Sequence, residues 1–177
     1  MRYHIIEERI NIPEKVKIEI KDGKIIIIGP KGKVERKIEH PKILLNIENN
    51  ILVIKAYFAT RRESKHLYSL VSHIKNAING VLNGFQYKLK AVYVHFPFKM
   101  KVSGNKFIIE NFLGERKTRE VEIPEDVKVR VEGDFVIVES VDIEKAGNFA
   151  SQLETLTKIR EKDLRKFQDG LYMIEKP

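Results

Sequence analysis

The chain contains the same series of predicted elements twice: a hairpin, a strand, a second hairpin, a helix and a closing strand. Residues 15–28 alternate apolar and charged side chains around an Asp-Gly turn, which predicts an antiparallel hairpin. Residues 98–110 show the same alternation, and Lys24 corresponds to Lys106 at an offset of about 82 residues. This interval is too long for a solenoid repeat, so the sequence predicts two copies of one domain.

Each half of the chain contains one amphipathic helix pattern. Thr60 and Glu63 form the capping-box pair that starts the first helix, and apolar residues recur at three- and four-residue spacing over 67–82. The second helix begins near Asp142, and its apolar face runs over 143–156. Because one apolar stripe covers one face of a sheet, we predict an α+β fold of two tandem duplicated domains, each an antiparallel β-sheet with one packed α-helix.

The predicted boundary between the two domains lies at Pro97, where no Gly/Ser-rich linker occurs. The first α+β repeat domain is predicted at 1–97, with the alternating segment 87–96 as its closing strand. The second repeat domain is predicted at 98–177, and it carries a basic loop near its C-terminus.

The composition excludes several classes of function. The absence of cysteine excludes disulfides, thiolate chemistry and cysteine-based zinc sites. Lys and Arg number 33 against 25 Asp and Glu, and the resulting charge of +8 fits either a polyanionic partner or a solubilising surface. The N-terminal residues are too charged for a signal peptide, and no apolar run approaches the ~20 residues that span a bilayer. We therefore expect a cytoplasmic protein.

No pattern in the chain predicts catalysis, a cofactor or a metal site. Residues 29–33, Gly-Pro-Lys-Gly-Lys, lack the spacing and the following helix of a phosphate loop, so we interpret them as a tight turn. Lys31 and Lys33 remain able to contact a phosphate as point charges. His66 and His73 lie seven residues apart, which is not the four-residue spacing of a zinc pair. No nucleophile motif occurs, so we expect no enzymatic activity.

A long stretch of the chain has no acidic residue. Residues 64–109 contain no Asp or Glu. One interpretation is a purely cationic face that neutralises phosphates; the other is a solvated face whose lysines pair with acidic residues elsewhere in the fold. Lys65 lies in this stretch, and Arg61 and Arg62 open the same helix. Together with the two lysines of the turn, they are possible secondary nucleic-acid contacts: Arg61, Arg62, Lys65, Lys31 and Lys33.

The strongest local signal is a basic segment between the second helix and the last strand. Five of the nine residues 158–166 are basic and two are acidic, a local net charge of +3. Phe167 can either stack on a base or pack beneath the last strand, of which we expect packing, and Asp169-Gly170 is predicted to turn the chain back into the sheet. The pattern predicts a loop that is braced at both ends and that presents cations to an anion.

Several segments resemble one known family. The sequence IREKDLRKFQDGLYMIEK at 159–176 resembles the C-terminus of the archaeal and eukaryotic branch of the large-subunit ribosomal proteins numbered six, which are numbered nine in eukaryotes. Residues 87–97 resemble the end of that family's first domain, and residues 111–116 and 142–154 resemble parts of its second. The resemblance covers nearly the whole chain, and the pattern K-D-x-R-K-F-x-D-G-x-Y at 162–172 is long enough to be specific.

The resemblance implies a structural protein of the large ribosomal subunit, without a cofactor, a small-molecule substrate or a membrane. Members of the family bind the large rRNA chiefly through the second domain and its C-terminal loop. They lie near the base of the acidic stalk and the sarcin–ricin loop, so the implied partners are the large-subunit rRNA and the neighbouring ribosomal proteins of the stalk base.

Carried over to this sequence, the rRNA contacts fall on one short segment. The loop itself is expected to be shaped by Gln168, Asp169 and Gly170. Glu161 stands where the family pattern tends to have Asn, and because a carboxylate repels phosphate, no direct backbone contact is expected there. The expected contacts are Lys158, Arg160, Lys162, Arg165 and Lys166.

Two alternatives belong to other functional classes. The first is a non-ribosomal tandem protein-interaction module whose sheet edges recruit an acidic partner. The second is an enzyme acting on an anionic substrate, which would require converging titratable groups that the sequence does not offer.

Overall fold

The computed structural model describes residues 3–38, 40–160 and 162–177, apart from the side chains of Tyr3 and His4. The chain divides into two compact units, the first ending at Gly84 and the second beginning at Phe85. Strands and helices occur along the chain in this order: β1 Tyr3–Asn11, β2 Lys17–Lys21, β3 Lys24–Gly29, β4 Gly32–Lys37, β5 Ile43–Glu48, β6 Ile51–Ala59, α1 Arg61–Asn83, β7 Phe85–Val92, β8 Lys99–Ser103, β9 Lys106–Glu110, β10 Arg119–Glu122, β11 Val127–Glu132, β12 Phe135–Ser140, α2 Ile143–Leu156 and β13 Gly170–Glu175.

The first unit consists of two three-stranded antiparallel sheets and one helix. The strand orders are β2-β3-β4 and β1-β6-β5, and α1 packs against both β3 and β6. Fully buried side chains from these three elements form the core, and burying each contributes roughly 1.5–3 kcal/mol. They are Ile25, Ile27, Leu52, Ile54, Leu67 and Ile74.

The start of α1 confirms the predicted capping box. The backbone N–H of Thr60 donates to Glu63 Oε2 at 2.8 Å, and the Thr60 hydroxyl accepts from the N–H of Arg62 at 3.3 Å. The hydrogen bond from the Thr60 side chain and the ion pair with Lys42 lower the pKa of Glu63 to about 2. The helix ends at Gly84, which adopts φ +71° and donates its N–H to the carbonyl of Gly80 at 2.8 Å.

The second unit repeats the plan with one additional strand. Its sheets have the orders β8-β9-β10 and β11-β12-β7-β13, and α2 packs on β7, β12 and β13. The predicted fold class is confirmed: each unit has antiparallel sheets and one packed helix. The largest fully buried side chains of this core are Phe107, Phe112, Phe149, Leu89, Ile109 and Leu153.

The position of β7 differs from the expectation that the segment 87–96 closes the first domain. β7 lies between β12 and β13 in the second unit, with Val138 opposite Tyr87 and Leu171 opposite Ala91. The division therefore falls after Gly84 rather than after Pro97. The physical reason is that the apolar residues of β7 complete the core beneath α2, as the fully buried Leu89 shows.

The strand β1 explains why the boundary between the units lies before β7. β1 pairs with β6 in the first unit as β7 pairs with β12 in the second, so each repeat begins with a strand that inserts beside its second hairpin. The sequence did not predict β1. In the described part of the chain, β13 has no counterpart in the first unit, and it is the element that the basic loop connects to α2.

No helix among the described residues is long and apolar enough to cross a membrane. Among the same residues, no three His, Asp or Glu side chains are arranged to hold a metal ion.

Candidate nucleic-acid interface

The basic loop occupies residues 158–169, between the end of α2 and the start of β13, and Thr157 fixes its first end. The Thr157 side chain is buried, and its hydroxyl donates to the carbonyl of Glu154 at 3.2 Å. The same oxygen accepts the backbone N–H of Leu171 at 2.9 Å. One hydroxyl therefore joins the helix end to the strand at the far end of the loop.

Asp169 fixes the other end. The residue is 1% exposed, and Oδ1 accepts the backbone N–H groups of Val94 at 3.0 Å and His95 at 3.4 Å, while Oδ2 lies 3.3 Å from His95 Nδ1. Burial raises the pKa of Asp169, but the hydrogen bonds from Val94 and His95 outweigh it, so the pKa lies below its ordinary value. Asp169 is therefore a clamp between the loop and the end of β7, and not only a turn residue.

Aromatic contacts continue this clamp into the loop. The Phe167 ring stacks on the His95 imidazole, with ring centroids 4.5 Å apart, and it packs against the buried core. The predicted packing role of Phe167 is confirmed. Lys162 Nζ lies 4.7 Å from the centre of the Phe167 ring, so one of the loop cations is positioned by a cation–π contact.

The middle of the loop is a single turn organised by Asp163. Its Oδ1 accepts the N–H of Arg165 at 2.9 Å, and its carbonyl accepts the N–H groups of Lys166 at 3.0 Å and Phe167 at 2.9 Å. These bonds fix the backbone of Arg165 and Lys166 while leaving both side chains in solvent.

The structure places all eight predicted site residues in one continuous segment. Gln168 is exposed, and its carbonyl accepts the Tyr172 hydroxyl at 3.2 Å. Gly170 adopts φ +157°, a backbone conformation that residues with a side chain rarely adopt. Glu161 lies outside the described residues. Five cations are exposed and make no ion pair with another described residue: Lys158, Arg160, Lys162, Arg165 and Lys166.

Two of the five candidate RNA-contacting residues of the first unit, Lys31 and Lys33, make contacts within that unit. Gly29 allows β3 to approach α1 so closely that a Cβ atom there would lie 2.7 Å from Val81 Cβ. The turn between β3 and β4 binds the helix end, because the N–H of Lys31 donates to the Val81 carbonyl at 3.0 Å and Lys31 Nζ donates to the Asn83 carbonyl. Lys33 pairs with Glu35 at 2.6 Å. The remaining three candidates are exposed at the start of α1: Arg61, Arg62 and Lys65. As RNA contacts, all five stay predictions.

The acid-free stretch does not form a purely cationic face. Its lysines meet acidic residues from neighbouring strands: Lys101 pairs with Glu110, and Lys106 Nζ lies 2.9 Å from Glu120 Oε1. The hydrogen bond with Glu120 raises the pKa of Lys106. For these positions, the interpretation of a solvated face with pairing acids is the correct one.

Sequence reasoning missed two residues of this interface, Thr157 and His95. Thr157 ends a helix like many polar residues, and by its own sequence context His95 resembles an ordinary surface histidine. The contact between His95 and Asp169 spans 74 residues of sequence, so no local pattern indicates it. The available signal was the segment 87–97, whose resemblance to a known family extends through His95.

Two comparisons with known proteins find similar sequences over nearly the whole chain. The sequence model of the family described as Ribosomal protein L6 matches residues 12–84 and again residues 96–170. A large ribosomal subunit protein uL6 from Aeropyrum pernix is 44% identical over 174 residues, which are 98% of this chain and 95% of that protein. The uL6 proteins of Nanoarchaeum equitans and Staphylothermus marinus are each 45% identical, over 99% and 97% of this chain and 96% and 95% of their own lengths.

Proposed function

The chain belongs to the ribosomal protein L6 family, and we propose that it binds the large rRNA through the loop 158–169, near the base of the acidic stalk and the sarcin–ricin loop. Members of this family are structural, non-enzymatic constituents of the large ribosomal subunit, so the role of the chain is in the cytoplasmic ribosome and in translation. The observation that carries the proposed site is the set of five exposed cations without described ion-pair partners on a loop fixed at both ends.

The mechanism is neutralisation of phosphates by a preformed loop. Each cation that contacts a phosphate releases condensed counterions, which favours binding at low salt. Because Thr157 and Asp169 already fix the loop, less conformational entropy is lost when RNA binds. The deep major groove of A-form RNA is too narrow for side chains, so we expect recognition of backbone and shape rather than of base sequence.

The test is assembly of large subunits with a loop variant whose five cations are replaced by Gln. We expect this variant to be lost from sedimenting subunits at physiological salt, since each lost phosphate contact weakens binding. A matched control loses the same charge from five exposed lysines elsewhere: Lys15, Lys17, Lys24, Lys37 and Lys128.

The control is expected to enter subunits like the parent chain. Equal incorporation of the loop variant and the parent would contradict the proposed site. Cross-links from the loop to rRNA outside the stalk base and the sarcin–ricin loop would contradict the proposed location.

A further inference from the structure

A groove of about 970 Å³ runs beside the basic loop in the second unit. Its walls are the exposed face of α2, the strand β10 and the first residues of the loop. This volume is at the upper end of the range for ligand sites, about 300–1,000 Å³, and the groove is partly open to solvent. It therefore suits part of a longer molecule better than an enclosed small ligand.

The helix wall of the groove is polar but uncharged. Asn148, Ser151, Gln152 and Thr155 follow the i, i+3, i+4, i+7 spacing of one helix face, and all four are exposed. In a chain with 33% charged residues, a whole exposed stripe without a charge is unusual. These side chains make no hydrogen bond to another described residue, so their amides and hydroxyls are available to a ligand.

The loop end of the groove is cationic. Lys158, Arg160 and Lys162 line it, and none of them pairs with a described carboxylate. Arg119 also lines the groove, but its guanidinium is already occupied: it donates to the carbonyl of Leu156 at 2.6 Å and binds Glu115 through two nitrogens at 2.9 and 2.5 Å.

The Arg119 contacts prepare the groove for an anion in two ways. The Arg119 guanidinium lowers the pKa of Glu115 and cancels the charge of this carboxylate, the one acid among the described residues that line the groove. Its bond to Leu156 compensates the negative end of the α2 dipole, which would otherwise repel a phosphate.

We infer that a segment of rRNA lies along this groove, with its phosphates at the cationic end and its ribose 2′-hydroxyls on the uncharged face of α2. The inference rests on the proposed function and extends the interface from the loop onto the helix. The shallow minor groove of A-form RNA displays 2′-hydroxyls, which both donate and accept, and amide and hydroxyl side chains match them. An acidic peptide would instead require cations along the whole groove, whereas the described ones lie at one end.

The absence of native cysteine allows a direct test by site-specific cleavage. Single cysteines are introduced by Ser151→Cys in the groove, Leu164→Cys in the exposed middle of the loop and Ser103→Cys on an exposed strand end away from the groove. Each full-length variant carries a tethered iron–EDTA group and is assembled with large-subunit rRNA, and the sites of hydroxyl-radical cleavage are mapped. We expect Ser151→Cys and Leu164→Cys to cleave neighbouring nucleotides and Ser103→Cys to cleave none of them.

The outcomes separate this inference from the proposed function. Cleavage from Leu164→Cys without cleavage from Ser151→Cys overturns the groove and leaves the loop as the RNA site. Absence of cleavage from both, in variants that remain bound to large-subunit rRNA, overturns the groove and the proposed function. Capture of an acidic protein at position 151, by cross-linking in subunits, overturns the RNA assignment of the groove.

A charge substitution gives a second readout. Gln152→Glu places a carboxylate beside the expected ribose–phosphate chain. Because this carboxylate repels the phosphates, we expect about tenfold weaker binding to large-subunit rRNA. Ser69→Glu adds a carboxylate to an exposed position of α1 and is the matched control, with an expected change below about twofold. Equal effects of the two substitutions overturn the inference.

Discussion

The two units share their order of elements but differ in the connection that leaves the helix. In the first unit, α1 ends at Gly84 and the chain continues directly into β7 of the second unit. In the second unit, α2 ends at Thr157, and the loop 158–169 precedes the return strand β13. The duplication therefore supplies two similar scaffolds, and the candidate RNA site is in the connection that one of them has gained.

Both units compensate the end of their helix with a cation from elsewhere in the same unit. Lys31 donates to the Asn83 carbonyl at the end of α1, and Arg119 donates to the Leu156 carbonyl at the end of α2. At the end of α1, a lysine from a tight turn donates to the carbonyl. At the end of α2, Arg119 donates to the carbonyl and also binds the Glu115 carboxylate. The second arrangement leaves a groove whose only described acid is neutralised.

The loop cations also differ in their partners from several lysines of the first unit. In the first unit, Lys21, Lys33, Lys42 and Lys55 each lie within 3.3 Å of a glutamate oxygen. The five loop cations of the second unit have no such partner among the described residues. Exposed ion pairs contribute only about 0–1 kcal/mol, but they reduce the local field that attracts a phosphate. The proposed RNA site therefore rests on where exposed cations without described ion-pair partners cluster, rather than on the number of basic residues.

The largest expected effect is removal of the clamp at Asp169. Asp169→Ala removes the buried carboxylate that accepts the N–H groups of Val94 and His95, and because hydrogen bonds to a charged group contribute more than neutral ones, we expect a loss of about 2–3 kcal/mol in the free energy of unfolding. Urea denaturation measures this change. The control Asp126→Ala removes an exposed carboxylate that pairs with Lys145, and it should cost less than about 0.5 kcal/mol. Similar losses in both variants would show that Asp169 is not a clamp.

A smaller effect is expected from the helix cap of the first unit. Thr60→Ala removes the capping oxygen of α1, and we expect a loss of about 1 kcal/mol with unchanged affinity for large-subunit rRNA. Ser69→Ala, at an exposed position of the same helix, is the control and should stay within about 0.5 kcal/mol. If the folded Thr60→Ala variant bound rRNA more weakly than the parent, the first unit would have a role in binding that the comparison of the two units does not assign to it.

The smallest effects are expected on the free energy of unfolding at acidic pH. The pKa of Glu63 lies near 2 in the folded chain, below its ordinary value of 4.5, so its stabilisation is complete above pH 4.5 and is lost as the pH falls toward 2. The pKa of Asp169 is also lowered, from an ordinary 3.8, so its stabilisation is lost below that pH. Unfolding free energies between pH 2 and 6 should therefore fall less steeply for Glu63→Gln and for Asp169→Asn than for the parent. Parallel curves would contradict both assignments.

The sequence predicts local features of this molecule well. The capping box of Thr60 and Glu63, the packing of Phe167 and the loop between α2 and the last strand all derive from patterns within about ten residues. The features that it does not predict depend on contacts between distant segments. β7 matches a closing strand by its own alternation, and only its pairing with β12 and β13 places it in the second unit.

The candidate site likewise combines features that a local sequence pattern predicts with features that depend on tertiary packing. The five loop cations are evident from composition, since they cluster within nine residues. The clamp between His95 and Asp169 and the groove between α2 and β10 arise from tertiary packing, and neither has a local pattern. Whether a lysine is free to contact a phosphate also depends on tertiary contacts, as the pairing of Lys106 with Glu120 shows.

The most direct measurement is the salt dependence of binding to large-subunit rRNA for three full-length chains: the parent, the loop variant with five cations replaced by Gln, and the control with five exposed lysines replaced elsewhere. Each phosphate contact contributes roughly 0.7–0.9 to the slope of log affinity against log salt, so we expect the loop variant to lose about 3.5 to 4.5 from this slope and the control to keep the parental value. Equal slopes for the loop variant and the control would contradict the claim that the fixed loop of the second unit is the part of the chain that neutralises rRNA.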